Sequence, residues 1–235
     1  MDFTNHYLGE LFELFGIKFY LTETLLATWV VMAVLILLAV IVRIRLPKFK
    51  VVPAGFQNVV EIMVETMDNF TISTMGAEYR NFGGFFFGLF AFILFSNYSG
   101  LIGLRPPTAD LAATAALSII IFLAIQWVGL KSSIRKLSQK RSKPTMGSIG
   151  NGILYGLVDV ISEVSGLLSF SFRLFGNMLG GLIIMGLIYS MFPPALRIGI
   201  PAVLHAYFDI FTGALQAFIF TILSMTSIQQ KGSKN

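Results

Sequence analysis

Five runs of apolar residues, each almost free of charge, decide what this chain can fold into. Residues 25 to 42 contain no charged side chain, and Arg43, Arg45, Lys48 and Lys50 follow. Residues 82 to 104 are rich in Phe, Gly and Leu and stop at Arg105-Pro106-Pro107. Residues 111 to 130 lead into Lys131 to Lys143, which holds six Lys or Arg. Residues 148 to 192 run up to Pro193-Pro194, and residues 198 to 228 precede Lys231 and Lys234. A spanning helix needs about 17 to 25 mostly apolar residues, so every run qualifies.

A soluble globule is excluded by charge. Ordinary soluble domains carry about 25% charged residues, and this chain carries 12%. Too few charges are left to coat a globule, so lipid must cover much of the surface. The expected fold is an all-α integral membrane protein, a single membrane domain over residues 1–235, with 1–24 as an outer amino-terminal segment. There are no cysteines, which excludes disulfides and thiolate metal sites. The start, Met1-Asp2-Phe3-Thr4-Asn5-His6, lacks the basic stretch of a cleavable signal, and none is expected.

The net charge of +5 is not a nucleic-acid footprint, because the cations do not form one patch. They report topology instead. With the amino terminus outside and each run crossing once, thirteen of the seventeen Lys and Arg fall inside. Lys18, Arg105 and Arg197 fall outside, and Arg173 stays within the membrane. Cytoplasmic loops carry the excess of Lys and Arg, so the carboxyl terminus is expected inside.

Residues 55 to 72 are different. Val59, Ile62, Met63, Thr66 and Phe70 recur at helical spacing, with Glu61, Glu65 and Asp68 on another face. That pattern predicts an amphipathic helix on the inner surface, with a solvated connector helix as the alternative. The fourth run is too long for a simple span. As one helix it would reach about 65 Å, against about 30 Å of hydrocarbon. It is either broken at a glycine or strongly tilted. The fifth run shares the excess, so the last two are expected to be long, tilted and antiparallel.

These two runs also hold the chemistry. The fourth contains Asp159, Glu163, Arg173 and Asn177, and the fifth contains His205, Asp209 and Gln216. A charge at the centre of a membrane helix costs at least about 2.5 to 3.5 kcal/mol. Arg173 and Asn177 share a face at i,i+4, as do Asp159 and Glu163. His205, Asp209 and Gln216 form one stripe. Gly176 and Gly180 are spaced so that another helix can approach closely. Asp159 and Glu163 lie about 15 to 20 Å inward of Arg173 along the helix. His205 and Asp209 lie on the outer side of Gln216. This order suggests two dead-end polar passages separated by a fixed positive charge. A cation could cross only if a moving carrier with its own carboxylate took it past Arg173. Each part also has a plain alternative. Arg173 could be satisfied by helix carbonyls or by an acid of its own chain, Asn177 and Gln216 could be interhelical glue, and His205 could sit at the interface. Asp159 and Glu163 could simply be solvated.

Four ordered segments resemble subunit a of the F-type ATP synthase. They are Ser169 to Met178 (SFSFRLFGNM), Leu215 to Phe220 (LQAFIF), Pro53 to Asn58 (PAGFQN) and Pro107 to Asp110 (PTAD). The resemblance implies a stator beside a ring of carboxylate-bearing c subunits, held by peripheral-stalk b subunits in a bacterial cell membrane. Protons would pass through two offset half-channels and drive rotation and ATP synthesis; a sodium-coupled version would look alike here. The resemblance implies no cofactor. It makes Arg173 the essential arginine facing the ring carboxylate. Asn177, Gln216 and Asp110 match polar residues of the outer half-channel, with Asp159 and Glu163 left to the inner one. The sequence departs from the family pattern at Leu182, where many members have an acid, at Asp209, where many have a histidine, and at Ala112, where many have an asparagine. On this reading Asp209, with His205 one turn away, replaces the outer acid. Two other functions remain open at this stage. A stand-alone proton-coupled transporter would usually show an internal repeat, and none is found. A metalloenzyme using His205 and Asp209 would need more ligands than those two.

Overall fold

The computed structural model describes residues 7–14, 17–139, 147–191 and 199–234. Strands β1 (Tyr7–Leu14) and β2 (Ile17–Thr22) form an antiparallel hairpin, with Leu14 opposite Ile17 and Tyr7 opposite Thr22. Helices follow: α1 (Glu23–Arg45), α2 (Phe56–Met75), α3 (Gly83–Tyr98), α4 (Leu111–Gln139) and α5 (Gly147–Met191). The last stretch is α6 (Gly199–His205), a π-helical segment (Ala206–Thr212) and α7 (Gly213–Lys234). Five of the helical stretches are long and apolar enough to cross a membrane. They coincide with the five apolar runs, and the all-α membrane class holds. The hairpin was not expected.

Thr22 starts α1, its Oγ1 accepting from the Leu25 amide at 3.2 Å, and Glu23 sits in the first turn. A carboxylate there faces the positive end of the helix dipole. On α1, Thr24, Ala27 and Val31 are buried, while Ile36, Leu37, Val40 and Ile44 are exposed. In water such a helix would be unstable, but lipid tails are as apolar as leucine, so outward apolar faces cost little. One short stripe therefore suffices to dock it. Before α2, Gln57 closes the connecting loop. Its Nε2 donates to the Lys50 carbonyl (2.6 Å) and Glu61 Oε1 (2.8 Å), and its Oε1 accepts from the Lys50 amide (2.9 Å). On α2, Val59, Ile62 and Met63 are exposed, while Phe70 stacks on Phe218 at 5.5 Å. The helix runs three residues beyond the expected end.

The core lies where α7 meets α3, α4 and α5. Phe86, Ile93, Ile121, Leu174, Phe220, Met225 and Ile228 are fully buried. Small hydroxyls fill the close contacts: Thr221 donates to the Ala217 carbonyl, Ser224 to that of Phe220, and Ser118 to that of Thr114. Such back-bonds keep a buried hydroxyl satisfied where helices pack tightly. The phenylalanine run of α3 divides between two roles: Phe86 is core, while Phe85 and Phe95 face outward.

The long fourth run is one unbroken helix of 45 residues, so the option of a glycine break is removed. The irregularity falls in the last stretch instead. The Pro193-Pro194 joint lies outside the described residues. Three contacts show that the two stretches run antiparallel. Tyr189 meets His205, Gly181 lies against Phe208, and Phe170 packs on Phe220 with ring centres 5.5 Å apart. Reading evenly between the last two contacts places Arg173 level with Gln216.

Candidate functional site

Arg173 stands on the exposed face of α5, beside Phe172 and Leu168, which are 55% and 48% exposed. Among the described residues it makes no hydrogen bond or ion pair. The plain alternative, an arginine satisfied by an acid of its own chain, finds no such partner there. Gly176 and Gly180, one and two turns on, have open space where a side chain would point. Among the described residues, nothing makes the close helix approach that their spacing permits. The result is a smooth apolar face bearing one cation.

One turn beyond Arg173 the surface changes. A cavity of about 320 Å³ opens at Asn177 and extends toward the carboxyl end of α5. Asn177, His205 and Asp209 line it, together with Glu23, Arg105 and Leu182. Arg173 does not. His205 Nδ1 lies 2.6 Å from Asp209 Oδ2, and His205 Nε2 lies 3.1 Å from the Tyr189 hydroxyl. With Asp209 ionised, Nδ1–H donates to the carboxylate. Asp209 belongs to the π-helical segment, and His205 is the last residue before it. A π-bulge adds a residue to the turn and often marks a functional position. Here Thr212 Oγ1 donates to the carbonyl of Tyr207, five residues back, at 3.0 Å. At the far end of the bulge Asn97 of α3 holds the chain. Its Nδ2 donates to the Gly213 carbonyl at 2.8 Å, and its Oδ1 accepts from Thr108 Oγ1 at 2.7 Å. A side chain at Gly213 would begin 3.0 Å from Asn97 Cβ, so glycine is what allows this approach.

The remaining expected residues lie apart from the cavity. Gln216 is buried at the level of Arg173, and its Nε2 has no hydrogen-bond partner among the described residues. Asp110 starts α4: Oδ1 accepts from the Ala112 amide and Oδ2 from Thr24 Oγ1, both at 2.9 Å. It therefore ties α4 to α1 beside Glu23. Asp159 and Glu163 lie in the same unbroken helix as Arg173, about 21 and 15 Å along it toward the amino end. Their side chains lie outside the described residues. Among the described residues no three His, Asp or Glu gather as a metal site. Sequence reasoning missed Glu23, Arg105 and Tyr189. Arg105 enters the sequence reading only as an outer cation, Glu23 carries no signal beyond its place before the first apolar run, and an uncharged tyrosine in an apolar run gives none.

The sequence profile of the ATP synthase A chain matches residues 25–229. The chain belongs to the ATP synthase A chain family. ATP synthase subunit a of Trichlorobacter lovleyi is 35% identical over 204 residues, covering 86% of this chain and 84% of the relative. That of Nitratidesulfovibrio vulgaris is 35% identical over 206 residues, covering 86% and 82%. That of Geotalea daltonii is 30% identical over 231 residues, covering 97% and 94%. The match to ATP synthase A chains takes in Arg173, the π-helical segment and every cavity residue named above except Glu23. It makes the chain a membrane component of an ATP synthase, associated with ion transport and ATP synthesis, and its relatives here are bacterial.

Proposed function

We propose that this chain is the stator that carries ions past a rotating ring of c subunits through two offset half-channels. The observation that carries the reading is Arg173. It is a mid-span cation with no partner among the described residues, on an apolar face whose glycines are open. A charge so placed needs a partner, and a carboxylate on a neighbouring, moving helix would supply it. The open glycines give that helix room to pass closely.

The cavity is the outer half-channel in this reading. It stops at Asn177, one turn short of Arg173, as a dead-end passage beside a fixed positive charge would. Asp209 and His205 receive the ion there, and Asn177 lies between them and the arginine. Leu182 and Asp209 line the same cavity, which supports the view that Asp209 supplies the acid that many relatives carry at the Leu182 position. Gln216 is buried at the level of Arg173, and its Nε2 has no partner among the described residues. Asp110 anchors the outer end of α4. Asp159 and Glu163 belong to the inner half-channel. The ion is the proton, the amino terminus is outside, the carboxyl terminus is in the cytoplasm, and peripheral-stalk b subunits hold the chain in a bacterial plasma membrane.

Arg173→Ala in the assembled ATP synthase tests this. Ion-driven ATP synthesis should be lost while the complex still assembles. Coupled synthesis at wild-type rate in an assembled mutant complex would sink the reading.

A further inference from the structure

Tyr189 lies sixteen residues beyond Arg173 on α5 and reaches across to the last stretch. Its hydroxyl is 3.1 Å from His205 Nε2, while His205 Nδ1 is 2.6 Å from Asp209 Oδ2. The tyrosine and histidine rings lie 6.0 Å apart and tilted by 44°. Tyr189, His205 and Asp209 thus form one hydrogen-bonded row from α5 into the π-helical segment. We propose that Tyr189 is a positioning residue of the outer passage, which lets His205 gain and lose a proton without releasing Asp209. This inference rests on the outer-passage reading given above.

The reason is the chemistry of a hydroxyl. In neutral His205, Nδ1–H donates to the Asp209 carboxylate, so Nε2 is the bare nitrogen and needs a donor. The tyrosine O–H supplies it. When His205 takes a proton from cavity water, both ring nitrogens carry hydrogen and Nε2–H needs an acceptor. The same oxygen supplies that by turning its hydrogen away. A hydroxyl is both donor and acceptor, so one side chain serves both protonation states with no movement of the ring. The hydrogen bond on one ring nitrogen also fixes which nitrogen is protonated in the neutral state. Tyr189 thereby keeps the Nδ1 hydrogen on the Asp209 side, and the carboxylate stays paired whether the ring is neutral or charged.

The other groups facing this row are few. Among the described residues, Glu23 of α1 and Arg105 before α4 line the same cavity, and Asp209 is the direct partner of His205. From α5, Asn177 and Tyr189 contribute polar but uncharged groups. Removing the hydroxyl therefore acts on His205 through a hydrogen bond rather than a lost charge. Loss of the hydroxyl takes from Nε2 the one partner that serves both protonation states, so proton exchange at His205 is hindered while Asp209 keeps its charge.

The experiment uses whole ATP synthase in vesicles, with the pH of the two sides set independently and proton flux measured. Tyr189→Phe keeps the ring and removes one oxygen. The dependence of flux on outer-side pH should change, because His205 loses the partner that serves both of its protonation states. Flux near neutral pH should fall several-fold, and the inner-side dependence should not move. In a His205→Asn background, Tyr189→Phe should add nothing. An unchanged outer profile, or a shift that persists without His205, would overturn the inference. Asp209→Asn separates this from the reading beneath it. If Asp209→Asn slows flux while Tyr189→Phe does not alter the profile, only the role of Tyr189 falls. If Asp209→Asn leaves flux untouched, the outer-passage reading falls and takes Tyr189 with it.

Discussion

Arg173 and Asp209 are both ionisable groups inside apolar runs, yet the structure treats them in opposite ways. Asp209 is paired within the chain, 2.6 Å from His205 and open to a cavity. Arg173 has no partner among the described residues and stands on an outward face. Under the proposed function this contrast has a reason, since a relay group must be reachable by water and a barrier group must wait for something that arrives. Leu182 adds a testable detail, because it lines the cavity that Asp209 lines. Moving the acid across that cavity should preserve its work. The double variant Leu182→Glu with Asp209→His should keep proton flux well above that of Asp209→His alone, measured in vesicles holding the whole complex. Equal loss in both variants would mean that the position of the acid, rather than its presence in the cavity, is what matters. These residues were legible in the sequence because a charge in an apolar run is costly and therefore conspicuous. Tyr189 was not, since tyrosine is common in membrane helices and only the fold puts it opposite His205. Glu23 was hidden for another reason. It sits at the start of a helix, where a carboxylate is ordinary.

The elements show the same division between what length reveals and what packing decides. Five spans were legible from apolar runs alone, because lipid accepts any outward apolar face and length is the main constraint. The hairpin was not legible, since strands of eight and six residues have a weak pattern and pair mainly with each other. Neither was the π-helical segment. Nothing in Ala206 to Thr212 breaks a helix, and the bulge is held from outside by Asn97. That side chain is fully buried and joins α3, the turn at Thr108 and the start of α7. Asn97→Leu would remove both bonds while keeping the branched shape, and would strand the buried Thr108 hydroxyl. Polar contacts between membrane helices are worth about 0.6 kcal/mol on average and up to about 1.7. The expected loss is about 1 to 3 kcal/mol, read as a lower unfolding midpoint of the complex in detergent. Because the same bond anchors the segment that carries Asp209, flux should fall as well. A stable variant with reduced flux would show that the anchor sets geometry more than stability.

At the scale of the whole molecule, the face of α5 is defined by what it leaves uncovered. The core gathers where α7 meets α3, α4 and α5, and it buries Leu174, Met178 and Met185 on one side of α5. The opposite side carries Leu168, Phe172, Arg173, Gly176 and Ile183 outward. Plain lipid contact explains exposed leucine and phenylalanine, but it gives no reason for glycines beside an arginine that has no partner among the described residues. A passing helix explains both. The glycines lower the surface so that a facing backbone can come close, and the arginine meets a carboxylate at that depth. Gly176→Leu separates the two accounts. Open space surrounds the site of the added side chain, so the chain should fold and insert as before. If the face only touches lipid, ATP synthesis should be unchanged, because leucine suits lipid as well as glycine does. If a ring turns against it, the bulk should obstruct rotation one turn from Arg173. ATP synthesis should then fall at least tenfold in complexes that assemble with normal subunit content, and passive ion flux should fall with it. Gly84 on α3, which also has nothing within 4 Å, serves as the control for a new leucine on another helix. Its substitution should leave both rates close to wild type.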